Sequence, residues 1–163
     1  MAEGVPVEVT VRDVIDADVE VFFEYQLDSD ASRMAAVAAR DREAFFAHWA
    51  RLRADESVIT ATVIADGRVA GNVVSWVTMS RRWVAYWIGR QFWGVGVATR
   101  AVGLVLLQVR ERPLYAYVAA HNHGSRRVLE KCGFRPFAAE VGAGGVEELT
   151  YVLDLGDTAQ VGQ

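Results

Sequence analysis

The chain has 163 residues, 52% hydrophobic and 23% charged, with 17 Lys and Arg against 21 Asp and Glu for a net charge of −4. That length supports one substantial core, and the acidic balance speaks against a broad surface for nucleic acid or anionic membrane. The single cysteine, Cys132, excludes an intrachain disulfide, and three histidines without ligand spacing give no zinc site, which fits a reducing, cytoplasmic setting.

Residues 7–11 alternate around Glu8 and Thr10 and predict a first strand. The stretch shows no basic start followed by a long apolar run, so no signal peptide is expected, and no segment reaches transmembrane length. Asp16 is the expected cap of a helix carrying Val19, Phe22, Phe23 and Leu27, broken by the polar stretch 28–33. A second helix over 41–53 puts Phe45, Phe46 and Trp49 on its apolar side. Asp66-Gly67-Arg68 between the β-rich runs 57–65 and 69–77 predicts a hairpin, and residues 83–88 supply the next antiparallel strand. A helix over 97–109, a strand over 113–118 and a helix from Asn122 to a stop at Gly133 follow. Two last strands, 134–140 and 147–155, flank a glycine-rich turn. A strand–helix–strand unit over 83–118 requires a right-handed crossover, making its two strands parallel within an otherwise antiparallel sheet. The expected fold is a mixed α/β sheet of about seven strands with about four helices, one domain over 1–156, and a flexible tail over 157–163.

The most informative stretch is Gln91-Phe92-Trp93-Gly94-Val95-Gly96-Val97-Ala98-Thr99, which turns a strand into a helix through two glycines. The first N–H groups of a helix lack intrahelical partners and carry the positive end of its dipole, so a loop without Cβ atoms lets a phosphate approach them. The same residues also suit a plain tight turn. A Rossmann fingerprint needs a small residue where Thr99 stands, and a Walker A loop needs Gly-Lys-Ser/Thr; neither is present.

One strand later comes Asn122-His123-Gly124-Ser125-Arg126-Arg127-Val128-Leu129-Glu130-Lys131-Cys132-Gly133-Phe134. The two segments together resemble the GNAT superfamily of acetyl-CoA-dependent N-acetyltransferases. Gln91-x-x-Gly94-x-Gly96 is similar to that family's pyrophosphate loop, and Asn122-x-x-Ser125 followed by Glu130-Lys131-Cys132-Gly133-Phe134 to its second cofactor motif. The wording of residues 125–131 looks closest to the branch of ribosomal-protein N-terminal acetyltransferases. The resemblance implies a central parallel strand pair splayed to admit CoA. It also implies that N–H groups of residues 91–99 hold the pyrophosphate, that the strand edge at Ile88 pairs with pantetheine, and that Asn122 and Ser125 lie along the cofactor. Arg126 or Arg127 then meets a phosphate, and only one of two neighbours on a helix can face it.

Transfer to an amine needs a base for the ammonium proton and a donor for the departing thiolate. No Asp or Glu lies between Gly71 and Gln108, and the tyrosine that many relatives carry seven residues after the motif's Asn is Leu129 here. Tyr86, His121 and Ser125 are the candidate catalytic residues; Tyr115 and Tyr117 could also reach in. Glu24, Asp28 and Asp30 could approach from the N-terminal helices, but suit solvated helix ends better. Trp76, Trp83, Trp87, Trp93 and Phe92 gather near the expected cleft, chiefly as core, and an aromatic surface is compatible with a homodimer. Cys132 reads as packing, and no metal is expected. The leading expectation is direct acetyl transfer from acetyl-CoA to a protein N-terminus or a small-molecule amine in a ternary complex. A non-catalytic CoA- or acyl-CoA-binding module is the alternative.

Overall fold

In the computed structural model, residues 5–155 are described. The tail expected at 157–163, and the first residues of the segment read for a signal peptide, lie outside them. A seven-stranded sheet runs in the order β1-β2-β3-β4-β5-β7-β6. Its strands are β1 Val9–Arg12, β2 Ile59–Ala65, β3 Arg68–Thr78, β4 Arg81–Ile88, β5 Leu114–Ala119, β6 Arg135–Val141 and β7 Glu147–Leu153. Every pairing is antiparallel except β4 with β5. The strands are therefore those the alternation predicts, and the one crossover is where the strand–helix–strand pattern puts it.

Among the described residues five α-helices pack around this sheet: α1 Asp16–Gln26, α2 Ser29–Ala35, α3 Arg42–Ala54, α4 Val97–Leu106 and α5 His123–Lys131. The expected break at 28–33 is a correction, since it is α2. Asp28 ends α1's path and caps the new helix, its Oδ1 accepting from the N–H groups of Asp30 at 3.0 Å and Ala31 at 3.3 Å. A seven-residue helix carries too little periodicity to be read from sequence. Asp16 is likewise not the cap of α1: the N-cap is Ile15, and Asp18 reaches back to accept from the Ile15 N–H at 3.0 Å. α4 stops at Leu106, three residues short of the expected end, although Val109 stays buried.

Strand alternation sorts the core into two layers. Val63, Val73, Val84, Leu114 and Tyr151 face α4 and α5, packing with Ala101, Val105 and Leu129. Val74 faces α1 and α3, where Phe22, Phe45 and Trp49 close a second cluster. Gly71 fixes the β3–β4 approach: a Cβ there would stand 1.9 Å from the Trp87 carbonyl oxygen. The irregularity in β3 at this point lets the following Gly89 N–H bond to Ala70 O at 2.8 Å.

One buried carboxylate ties α1 to strands β1 and β2. Asp18, 2% exposed, accepts from Arg12 at 2.6 and 2.9 Å and from Thr62 Oγ1 at 2.7 Å. Burial alone would push its carboxyl up, but Arg12, the Ile15 N–H and Thr62 together hold it below its ordinary value. Its contribution is therefore present above the unfolded carboxylate pKa of about 4 and lost as pH falls below that. Asp18→Asn is expected to destabilise the fold by about 2 kcal/mol at neutral pH in urea unfolding, with the gap to the parent closing toward pH 3.

Candidate functional site

The parallel pair is joined only at Arg82↔Leu114 and Trp83↔Tyr115. Beyond Tyr115, β5 keeps pairing with β7 and β4 keeps pairing with β3, so the two strands part toward their C-terminal ends. The sheet thus carries a gap with one free backbone edge on each side. At its open end β4 runs through a short 3-10 turn, Arg90–Phe92, into the glycine loop and α4.

The loop has the conformation its glycines predict. Gly94 and Gly96 have φ of +77° and +84°, and a Cβ at either would meet nothing within 4 Å. Gly96 is the N-cap of α4 and offers no side chain, and the first helical bond is Arg100 N to Gly96 O at 3.2 Å. The N–H groups of Val97, Ala98 and Thr99 precede that bond and have no intrahelical acceptor. Open space, uncapped donors and the positive dipole end coincide at one place.

A cavity of about 700 Å³ begins there and passes the gap. Tyr86 and Ile88 line it from the α4–α5 face and Trp87 from the other, while α2 adds Ala31, Met34 and Ala35. On the remaining side stands α5. Asn122 caps that helix, Oδ1 accepting from Ser125 N at 3.1 Å, which is the local reason for the Asn-x-x-Ser spacing.

Residues 8–135 match the family model of the acetyltransferase (GNAT) domain. The chain belongs to the GNAT acetyltransferase family. It is therefore an acetyl-CoA-dependent acyltransferase. Among solved structures, Mycobacterium smegmatis RimJ in complex with CoA-disulfide superposes with a TM-score of 0.77 at 20% identity, over 95% of this chain and 87% of that one. RimL, a ribosomal L7/L12 alpha-N-protein acetyltransferase in complex with coenzyme A, gives 0.75 at 13% identity over 90% and 93%. Aminoglycoside acetyltransferase AAC(6')-Ib in complex with coenzyme A gives 0.76 at 16% identity over 92% and 96%. At such identities the likeness speaks for the fold. No curated protein matches the chain in sequence.

Most of the GNAT site residues expected from sequence meet in the cavity wall: Ile88, Phe92, Trp93, Gly94, Gly96, Val97, Ala98, Thr99, Asn122, Ser125 and Arg127, with Tyr86 and His121. Gln91 and Val95 do not line it. Gln91 turns toward the Tyr25 hydroxyl at 3.4 Å, and the Val95 side chain is half exposed at the loop tip. Phe92 and Val97 are buried, so their side chains serve the core and only their backbone faces the loop. Ile88 O already accepts from the Trp93 indole N–H at 2.8 Å, so Trp93 lies along the free edge of β4. Of the two arginines, Arg126 is committed to Ala120 O at 3.0 Å and the Tyr151 hydroxyl at 3.3 Å, leaving Arg127 for the cavity. Lys131, one turn on, joins it; sequence reading missed this second cation, although the spacing i, i+4 from Arg127 could have shown it.

Among the catalytic candidates, two are joined. The Tyr86 hydroxyl lies 2.5 Å from Ser125 Oγ. Either hydroxyl can donate; with Tyr86 as the donor, the serine proton is left free for another acceptor. Burial pushes the Tyr86 hydroxyl up to about 12. His121 Nε2–H donates to Arg33 O at 3.0 Å, so it anchors the end of α2 and keeps Nδ1 as its basic nitrogen. Glu24 is exposed. Asp28 and Asp30 are taken by α2 capping and by Arg90, with Arg90 Nε 3.4 Å from Asp28. Tyr115 and Tyr117 turn to the opposite face, against Trp83. The indole N–H groups of Trp83 and Trp87 are buried without an acceptor among the described residues. No group of metal-ligating residues occurs among the described residues, and none of their helices is long and apolar enough to cross a membrane.

Proposed function

We propose that this enzyme transfers the acetyl group of acetyl-CoA directly to a primary amine, with both substrates bound at once. The observation that carries this reading is the cavity beside the free edge of β4, lined by Tyr86 and Ile88 from one face of the sheet and by Trp87 from the other, where donor and acceptor can meet at one point. The donor side fits CoA: a pyrophosphate at the N–H groups of Val97, Ala98 and Thr99, other phosphate charge toward Arg127 and Lys131, and pantetheine along the β4 edge where Trp93 now bonds Ile88.

The amine lone pair attacks the thioester carbonyl carbon, the C–S bond breaks, and the sulfur leaves with the electron pair. The reference pKa of a thiol is about 8.5 and the Tyr86 hydroxyl stands at about 12. Passing the Tyr86 proton to the thiolate is uphill by more than three pKa units, so Tyr86 is a fixed donor that aims Ser125. The Ser125 hydroxyl then hydrogen-bonds the sulfur as charge develops, and the amine's own proton balances the thiolate through water or His121 Nδ1.

A covalent acetyl-cysteine route has no support here. Cys132 is fully buried, its thiol is pushed up to about 11 by burial, and its Sγ–H points to Thr99 O at 3.5 Å. The test is thiol release from acetyl-CoA with a panel of primary amines. Cys132→Ala is expected to turn over within about threefold of the parent, and loss of turnover with acetyl-CoA binding intact would exclude direct transfer. Acetyl-CoA binding without turnover for any amine would instead favour a binding module.

A further inference from the structure

The face of the sheet turned away from α4 and α5 carries an aromatic trough whose floor, Trp83 and Tyr115, is buried in a small core cluster with Val152, while Tyr117 and Ala85 above it stay exposed. On β4 the side chains pointing there are Trp83, Ala85 and Trp87, and on β5 Tyr115 and Tyr117. Trp83 and Tyr117 stack with centroids 4.2 Å apart and planes 16° apart, at the apex where β4–β5 pairing ends. Trp87 stands in the cavity wall at the open end. Between them Ala85 is exposed and adds no bulk. Four residues of strand separate the two indoles by about 13 Å, the length of one six-membered ring plus a short amino-alkyl arm.

Two features say what this trough attracts. It already seats a cation at its far end, where the Arg81 guanidinium lies 4.7 Å from the Tyr115 ring and 6.0 Å from that of Phe137. Glu148, the register partner of Ala119, and Glu140, the partner of Glu148, lie on the same face toward the open end, whereas Arg81 and Arg135, the partner of Val152, lie toward the other end, so the carboxylates stand nearest the gap. A hydroxyl-rich polycation needs carboxylates around it, and the cavity wall contains none. A flat apolar ring with a single ammonium suits the trough and can present its nitrogen to the gap.

Resting on the direct-transfer reading, we propose that the trough is the acceptor subsite and that the acceptors are aryl-alkyl primary amines. The ring lies over Ala85, between Trp87 and the Trp83–Tyr117 stack. Alternation along β4 already separates Trp83 and Trp87 from Tyr86; the pairing register adds Tyr115 and Tyr117 to the tryptophan face.

The test compares 2-phenylethylamine, n-propylamine, kanamycin and a short peptide with a free N-terminus as acceptors, with acetyl-CoA binding followed by calorimetry. The aryl amine is expected to exceed propylamine by about 100-fold in kcat/KM, from ring burial and stacking. Ala85→Leu, at an exposed position, should fill the trough and raise KM for phenylethylamine at least tenfold, leaving acetyl-CoA binding and propylamine turnover unchanged. Tyr117→Ala, half exposed, should act in the same direction. Equal rates for the two small amines, or kanamycin or the peptide as the better acceptor, would overturn the subsite while leaving direct transfer standing. Bound acetyl-CoA with no amine turned over would overturn both. A dimer that dissociates on Tyr117→Arg would give the face to a second copy and overturn the subsite too.

Discussion

Replacing Gly96 with glutamate is expected to abolish acetyl-CoA binding, with a loss of at least 1000-fold in Kd and a folded protein. Gly96 is the N-cap of α4, its φ is +84°, and a Cβ placed on it meets nothing within 4 Å. The new side chain therefore displaces no neighbour, and its cost to the fold is the left-handed backbone, about 1–2 kcal/mol. Its effect on the ligand is larger. A carboxylate about 5 Å from a pyrophosphate carrying two charges is repelled by several kcal/mol at an effective dielectric constant near 20. It also competes for the N–H groups of residues 97–99. Gly96→Ala carries the same strain without the charge, so it should lose no more than about tenfold in affinity. Calorimetry with acetyl-CoA and a thermal melt of the three proteins measure both terms. Equal affinity of Gly96→Glu and Gly96→Ala would remove the loop from the cofactor site.

The second large effect is expected at the hydroxyl pair. Ser125→Ala removes the donor aimed at the departing sulfur and should lower kcat by about 30- to 100-fold, the range of a hydrogen bond to a charged group. Tyr86→Phe leaves Ser125 in place without its 2.5 Å partner and should cost about tenfold. The double variant should resemble Ser125→Ala alone, because the two act as one unit. KM for acetyl-CoA should stay within about twofold in all three. Burial holds the Tyr86 proton up to about 12, so the parent should show no loss of rate from this residue between pH 7 and 10. The raised folded value also sets a stability limb. It is fully present below the unfolded tyrosine value of about 10 and is lost as pH rises from there toward 12. Tyr86→Phe should flatten that limb in urea unfolding at pH 9 to 11.5. If Ser125→Ala kept its full kcat, the thiolate would leave by another path.

The Tyr86–Ser125 hydroxyl pair also shows where sequence reading stops. Tyr86 and Ser125 are 39 positions apart, and each alone is an ordinary polar residue on a strand or helix. Nothing local couples them; the α5 cap set by Asn122 and the alternation of β4 bring them within 2.5 Å. The missing carboxylates on the central strands were legible, whereas the use of Asp28 and Asp30 by α2 and Arg90 was not, because ion pairs across 60 positions leave no periodic trace. α2 itself escaped for the same reason: its seven residues are held by one cap and tertiary contacts instead of an apolar stripe.

By itself the sequence determined the strands, the crossover and the glycine loop, which rest on interactions within a few residues: alternation, turn chemistry, and helix N–H groups without partners; the cofactor was implied by the resemblance of two motifs to a family. The tertiary structure decided the rest. It set where β4 and β5 part, which arginine faces the cavity, which hydroxyls meet, and which face carries the aromatic trough. Those depend on register between distant strands, where a shift of one residue would send every side chain to the other side of the sheet.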